Sequence, residues 1–399
     1  MNKIEKINLI NDICSSYKVK EDVFSSTKCL TYIDEFEQKL GGTKRATSLV
    51  SLTSLMSHYI NNIEKNWLTD IRIKYRFKMG EPIHFTNVRK IAQEVTFTNK
   101  QGEKEVCLGW NDDYISYRAD SLIDYDSKTF KPNVKSKNQK EFVEEYKVWK
   151  LFRKEDDLGF GSLDVEKLKS FYEDIFSVVK NANFDILCTT ILYDTAAPHR
   201  KRFISDQVKS PYTIAFGEHL DLLCFYLKNG FYTDEEFKTT AKKPSHSFST
   251  KLRWDGDDGF NPRSDYRLLF NKVISLGTTH YQSETVRKCL DEIRFVNKSE
   301  IGYYDDIANQ TIVSHIGCDI ADFITYFVGK HAIKDEILKA YSNEGLSPDD
   351  CEKKFIDSIT FKIGDRVFSP YEEILKDKIL KTDLYTSIQI FNECHYNLW

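Results

Sequence analysis

Hydrophobic and polar positions along this chain fall into two regimes. In the first hundred residues the apolar runs are short and strand-like: Cys29-Leu30-Thr31-Tyr32-Ile33 stops abruptly at two acids, Asp34 and Glu35. Alternation sends these two acids to opposite faces if the strand continues, so one of them, Asp34, is the better candidate to point into a shared site. Ile71, Ile73, Tyr75 and Phe77 alternate with Arg72, Lys74 and Arg76, the period-two pattern of a strand with one buried and one basic face. Val95 to Phe97 and Val106 to Leu108, separated by Asn99-Lys100-Gln101-Gly102, predict a hairpin. The polar, charge-rich stretch that follows, to about Glu155, reads as part of an insertion over about 93–160.

From Val165 the period lengthens. Leu168, Phe171, Tyr172, Ile175 and Val179 share one helical face, and Asp164 stands ready as the cap before them. A strand from Phe184 to Leu192, a helix around Ile214 to Lys228 and a strand from Phe248 to Trp254 follow. Then come a helix carrying Tyr266, Leu269, Phe270 and Val273, a strand near Ile293 to Val296, and a helix from Ser314 to Lys330. Strands first, then strand and helix in alternation, is the order of an α/β mixed sheet flanked by helices. Past Lys334 the periodicity weakens, with a hairpin-like piece from Ile359 to Phe368. Residues 1–335 therefore read as the main domain and 336–399 as a C-terminal extension.

Composition narrows the class. Hydrophobic residues make up 41% of the 399 positions and charged residues 30%, and only 17 Gly and 8 Pro interrupt the chain, which predicts packed secondary structure rather than disorder. A net charge of -4 argues against a surface that traps polyanions everywhere, because Lys and Arg supply that non-specific affinity. Local basic patches remain at Lys44-Arg45, Lys131 to Lys140 and His199-Arg200-Lys201-Arg202, each of which also reads as an ordinary solvated face. Nine cysteines with no C-x-x-C pair read as reduced thiols, and no apolar window reaches the roughly 18 residues of a membrane helix. A cytoplasmic protein without a membrane partner is expected. No G-x-G-x-x-G follows a strand, and neither a G-x-x-x-x-G-K-[ST] loop nor a G-x-S-x-G elbow occurs, so nucleotide-cofactor and serine-hydrolase chemistry are not predicted.

The late helix carries the densest chemistry. Ile316, Ile320, Phe323 and Phe327 form one stripe, while His315, Asp319, Asp322 and Tyr326 form a second at the same spacing. Two exposed carboxylates at i and i+3 repel by a few tenths of a kcal/mol, roughly, and a divalent ion turns that repulsion into affinity. The bland reading is two solvated acids. Asp34 has its own bland reading as a cap, His84 as a satisfied buried histidine, and Asp255, Asp257 and Asp258 with Gly256 and Gly259 as a turn.

Taken together, three separated pieces resemble a known family, the bacterial domain of unknown function 3800. Its members open with a Y-I-D-E-S-G-D type motif, matched by Tyr32-Ile33-Asp34-Glu35. They carry an E-I-H-A type segment, resembled by Ile83-His84 within Pro82-Ile83-His84-Phe85, and close on an S-x-x-I-Q-L-A-D type helix, to which Ser314 through Ala321-Asp322 is similar. The chain departs in having Phe36-Glu37-Gln38 after the opening acids, Pro82 where the family has Glu, and Asp319 at the Gln position. The resemblance implies an RNase H-like fold and a metal-dependent nuclease acting on DNA or RNA with Mg2+ or Mn2+, with a role in conflict with phage or mobile elements. Asp34 and Asp322 would then bind the metal, Asp255 or Asp306 would complete the shell, Asp319 and Glu35 would be further ligand candidates, and His84 or His315 would move a proton or touch phosphate. The alternative on the same scaffold is a catalytically inactive module that binds nucleic acid, or a protein partner or second copy.

Overall fold

The pattern that ends in Asp34 continues past it. The computed structural model describes residues 28–99, 101–122, 137–154, 162–195, 211–229, 248–255, 261–297, 301 and 314–386, and β1 runs over Lys28–Lys39. Both faces of β1 are buried over its first half. Leu30, Tyr32 and Phe36 enter one core cluster, and Cys29 and Ile33 enter another on the opposite face.

β1 is the fourth strand of a six-stranded mixed sheet, with β2 (Lys44–Leu55) antiparallel to it and Asp34 opposite Val50. A separate hairpin, β3 (Glu94–Thr98) with β4 (Lys104–Leu108), forms where the sequence predicts it. β5 (Asp185–Asp194) lies antiparallel to β2, whereas β6 (Ser249–Asp255) is parallel to β1 and β7 (Leu290–Val296) parallel to β6. β8 (Phe361–Ile363) and β9 (Arg366–Phe368) form a small hairpin. The last strand, β10 (Ile379–Thr386), joins the far side of β5 in parallel, so the large sheet is ordered β10-β5-β2-β1-β6-β7.

Helices cover both faces, as the alternating second half leads one to expect. In chain order they are α1 (Phe85–Lys90), α2 (Asp112–Leu122), α3 (Lys137–Leu151), α4 (Val165–Asn181), α5 (Pro211–Asn229), α6 (Asn261–Leu276), α7 (Ser283–Cys289), α8 (Gly317–Ala332), α9 (Lys334–Asn343) and α10 (Pro348–Ile359). α4 and α8 pack on the Tyr32 face, while α5, α6 and α7 pack on the Ile33 face. Asp164 caps α4 as predicted, accepting a hydrogen bond from Lys167 N at 3.0 Å.

One sequence expectation changes. The stretch Ile71 to Phe77 is not a strand; wide helical turns run over Tyr59–Glu64 and Trp67–Ile73. Ile60, Ile63, Trp67, Leu68, Ile71 and Arg72 are all buried, a helical recurrence that outweighs the local alternation, and Arg72 therefore points inward rather than to a wet face. The predicted insertion is tied to the main core by Trp110, Trp149 and Phe152, all buried there. β10, within the C-terminal extension, supplies the sixth strand of the sheet.

β2 was hidden by its own composition. Nearly all of its residues are buried, including Thr47, Ser48, Ser51, Thr53 and Ser54, and buried hydroxyls need partners. Thr31 Oγ1 meets both Thr53 Oγ1 and Thr250 Oγ1 at 2.8 Å, and Ser48 Oγ meets Thr190 Oγ1 at 2.7 Å. His219 of α5 bridges Ser51 Oγ at 2.8 Å and Thr189 Oγ1 at 3.0 Å.

α8 lies unusually close to β1. A Cβ added at Gly317 would run into the Tyr32 ring, and one at Gly329 would stand 2.7 Å from Cδ1 of Phe36. Glycine at both points brings helix and strand backbones together and fixes what lies between them. Among the described residues no helix is long and apolar enough to cross a membrane.

Candidate active site

Asp34 stands between Tyr32 and Phe36 on β1, and α8 passes over that stretch with Gly317 against Tyr32 and Gly329 against Phe36. The middle of the helix is thereby delivered to Asp34. Asp34 and Asp322 line one partly open cavity of about 140 Å3, together with Phe85 and Arg89 of α1, Tyr172 of α4, and Thr325 and Tyr326 of α8. The strand aspartate and the late-helix aspartate, singled out from distant parts of the sequence, meet at the same cavity.

The middle sequence piece comes to the same place, held by the late helix. Asp319 Oδ1 accepts a hydrogen bond from Ile83 N at 2.9 Å, and Asp322 Oδ2 accepts one from Phe85 N at 3.4 Å. Carboxylates one helical turn apart thus anchor the backbone of Pro82-Ile83-His84-Phe85 at two points. This gives the pair of acids a structural task that helix periodicity alone does not reveal.

Asp319 is not a cavity group. It is buried, its Oδ2 lies 3.5 Å from Nη1 of Arg72, and it also accepts from Trp67 Nε1 at 3.3 Å. Arg72 in turn donates to the Glu81 carbonyl oxygen, at 3.0 Å from Nη1 and from Nη2 as well. A buried carboxylate with a cation and two N–H donors is compensated where it stands. The expectation of Asp319 as a metal ligand is corrected on that ground.

Glu35 differs from Asp34 as alternation requires. Tyr266 of α6, on the Ile33 face, donates its hydroxyl to Glu35 Oε1 at 3.3 Å, so this carboxylate is held on the opposite side of the sheet from Asp322. Glu35 also borders the cavity, next to Asp34 along β1.

His84 is half-buried at the entry to α1 and is not among the residues that line the cavity. His315 is fully buried just before α8, with a left-handed backbone at φ 55°. Burial pushes its imidazole well below the usual range, and Arg253 and Arg294 push it the same way, so the ring is neutral. Neither histidine is among the residues that line the cavity. Asp255 closes β6 one residue past the Ile33–Trp254 pair, which sets its backbone beside that of Asp34. Its side chain lies outside the described residues, as does Asp306. Among the described residues no group of three or more His, Cys, Asp and Glu gathers in a way that could hold a metal ion.

Arg89 was not anticipated. Its guanidinium lies 4.3 Å from the ring centroid of Tyr326 and 5.3 Å from that of Phe327, a cation–π arrangement that fixes it at the cavity. Nothing in the sequence distinguished it from other surface cations except its place one helical turn after Phe85. The cavity's lining combines three acidic residues, Asp34, Glu35 and Asp322, with one guanidinium and aromatic walls, a set suited to holding a cation and an anion side by side. Comparison with protein-family models, with curated proteins and with solved structures finds no match for this chain.

Proposed function

We propose that this chain is an RNase H-like, metal-dependent nuclease that hydrolyses phosphodiester bonds in DNA or RNA. The observation that carries the reading is that Asp34 of β1 and Asp322 of α8 line one cavity. Support for the fold comes from the sheet, where antiparallel β1, β2 and β5 precede parallel β6 and β7. That is the element order the family resemblance leads one to expect.

The donor set fits a hard divalent ion, since Mg2+ is satisfied by one or two carboxylates with waters and a substrate phosphate. Asp34 and Asp322 would hold Mg2+ or Mn2+, with the Asp255 position adjoining, and the ion would polarise a phosphoryl oxygen and make a bound water more acidic. Asp322 is kept in place by Phe85 N, so its carboxylate is oriented before substrate arrives. Arg89, restrained by Tyr326, offers positive charge where a phosphoryl group carries negative charge. A role in conflict with phage or mobile elements rests on the resemblance alone.

A second reading, a catalytically inactive nucleic-acid or protein binding module, is favoured by the fate of the other acids. Asp319 is engaged with Arg72, and Glu35 is turned to Tyr266. One experiment separates the two. Purified protein is incubated with single- and double-stranded DNA and RNA in Mg2+, in Mn2+ and in EDTA. Cleavage that needs metal and disappears in Asp34→Asn and Asp322→Asn supports the nuclease, whereas intact substrate with a retained gel shift supports the binder.

A further inference from the structure

The two carboxylates do not account for all of the polar groups at the cavity. Tyr172 of α4 is fully buried and Thr325 of α8 is 2% exposed, both line the cavity, and neither hydroxyl has a hydrogen-bond partner among the described residues. Buried hydroxyls are rarely left in this state, so each instance calls for an explanation. Phe36, Phe85, Phe323 and Phe327 also line the cavity, and their side chains offer these hydroxyls no acceptor. A ligand with several acceptor oxygens would satisfy both at once.

Arg89 supplies the matching charge. Its guanidinium is held 4.3 Å from the Tyr326 ring centroid, and a guanidinium carries the N–H donors by which arginine takes phosphate. Burial raises the Tyr172 hydroxyl above its ordinary range, and Arg89 is the charge that acts on it in the other direction, which brings the two groups into one electrostatic neighbourhood. The cavity of about 140 Å3 has room for a phosphoryl group and its waters.

We propose that Arg89, Tyr172 and Thr325 form a phosphate-binding subsite that takes one phosphoryl group of a nucleic-acid backbone beside Asp34 and Asp322. The identity of the ligand as nucleic acid rests on the nuclease reading above. The subsite reads charge and oxygen geometry, so it positions a backbone without selecting a base.

Asp34 and Asp322 repel an anion when no cation lies between them, and this makes a metal-free test possible. Inorganic phosphate is titrated calorimetrically into the full chain in EDTA. In the Asp34→Asn, Asp322→Asn background, phosphate affinity is expected to rise at least tenfold over the parent chain. Adding Arg89→Ala, or Tyr172→Phe with Thr325→Val, is expected to remove that gain, with Arg89→Lys intermediate. Tyr172→Phe deletes a hydroxyl that has no partner among the described residues, so its thermal midpoint should hold or rise, which separates lost binding from lost folding. Phosphate affinity indifferent to Arg89→Ala and to Tyr172→Phe overturns the subsite. Because no cleavage is read, a chain that fails to cut nucleic acid but binds phosphate through these residues overturns the nuclease alone.

Discussion

Asp319 and Arg72 form an ion pair 3.5 Å across with neither side chain reaching solvent. A buried pair adds little over an apolar pair of the same shape, yet removing one partner strands the other charge. Arg72→Met removes the guanidinium from beside the buried Asp319 carboxylate, and should cost about 3–5 kcal/mol of unfolding free energy. Urea titration followed by tryptophan fluorescence measures it. A loss under about 1 kcal/mol would mean that the pair is solvated in solution.

Gly329→Ala tests the contact of α8 with β1. The new methyl group meets Phe36 at 2.7 Å, and overpacking of this kind costs about 1–3 kcal/mol. On the nuclease proposal, a shift of α8 away from β1 carries Asp322 from Asp34, so metal-dependent cleavage should fall together with stability. Full activity at an unchanged thermal midpoint would sink the account.

At Asp322 the structural and chemical tasks separate. Asparagine keeps an oxygen for Phe85 N, so Asp322→Asn should remain within about 0.5 kcal/mol of the parent, while on the nuclease proposal it loses metal-dependent cleavage. Alanine removes the acceptor too, and should lose about 1 kcal/mol more. If asparagine and alanine are equally destabilising by denaturant midpoint, the hydrogen bond to Phe85 contributes nothing.

What the sequence made legible is uneven, for physical reasons. The strand leading into Asp34, the hairpin around Gly102, the cap at Asp164 and the late helix were all readable, because each is announced by local pattern. β2 was not, because its serines and threonines look polar in a list and become interior only when Thr31, Thr190 and His219 pair with them across the sheet. The error at Ile71 to Phe77 propagated to the site. Placing Arg72 on a wet strand face concealed the partner that takes Asp319 out of the candidate metal set. Asp34 and Asp322 were singled out by alternation and helical spacing together with the family resemblance, whereas Arg89, Tyr172 and Thr325 became visible only once α1, α4 and α8 met around one cavity.

His219 predicts an acid response. Burial lowers its folded pKa to about 3, against an ordinary value near 6.5, so the folded protein holds it neutral while the unfolded chain takes up a proton below about pH 6.5. Its contribution to stability is complete above that pH and is lost as pH falls from about 6.5 towards 3. The expected slope from this one group is about 1.4 kcal/mol per pH unit within that window. His219→Asn should flatten this part of the profile when unfolding is measured at successive pH values; an unchanged slope would assign the acid sensitivity elsewhere.

The two backbone anchors from Asp319 to Ile83 and from Asp322 to Phe85 have a kinetic consequence. They join the short helix bearing Arg89 to the long helix bearing Asp322, so the cavity's cationic wall and its acidic floor travel as one block. Between these two walls a ligand meets a preset spacing, so binding it should not require α1 and α8 to move relative to one another. Retuning the reach of the site then falls to side-chain length at positions such as 89 and 326, because the main chain on which they stand is already tied down.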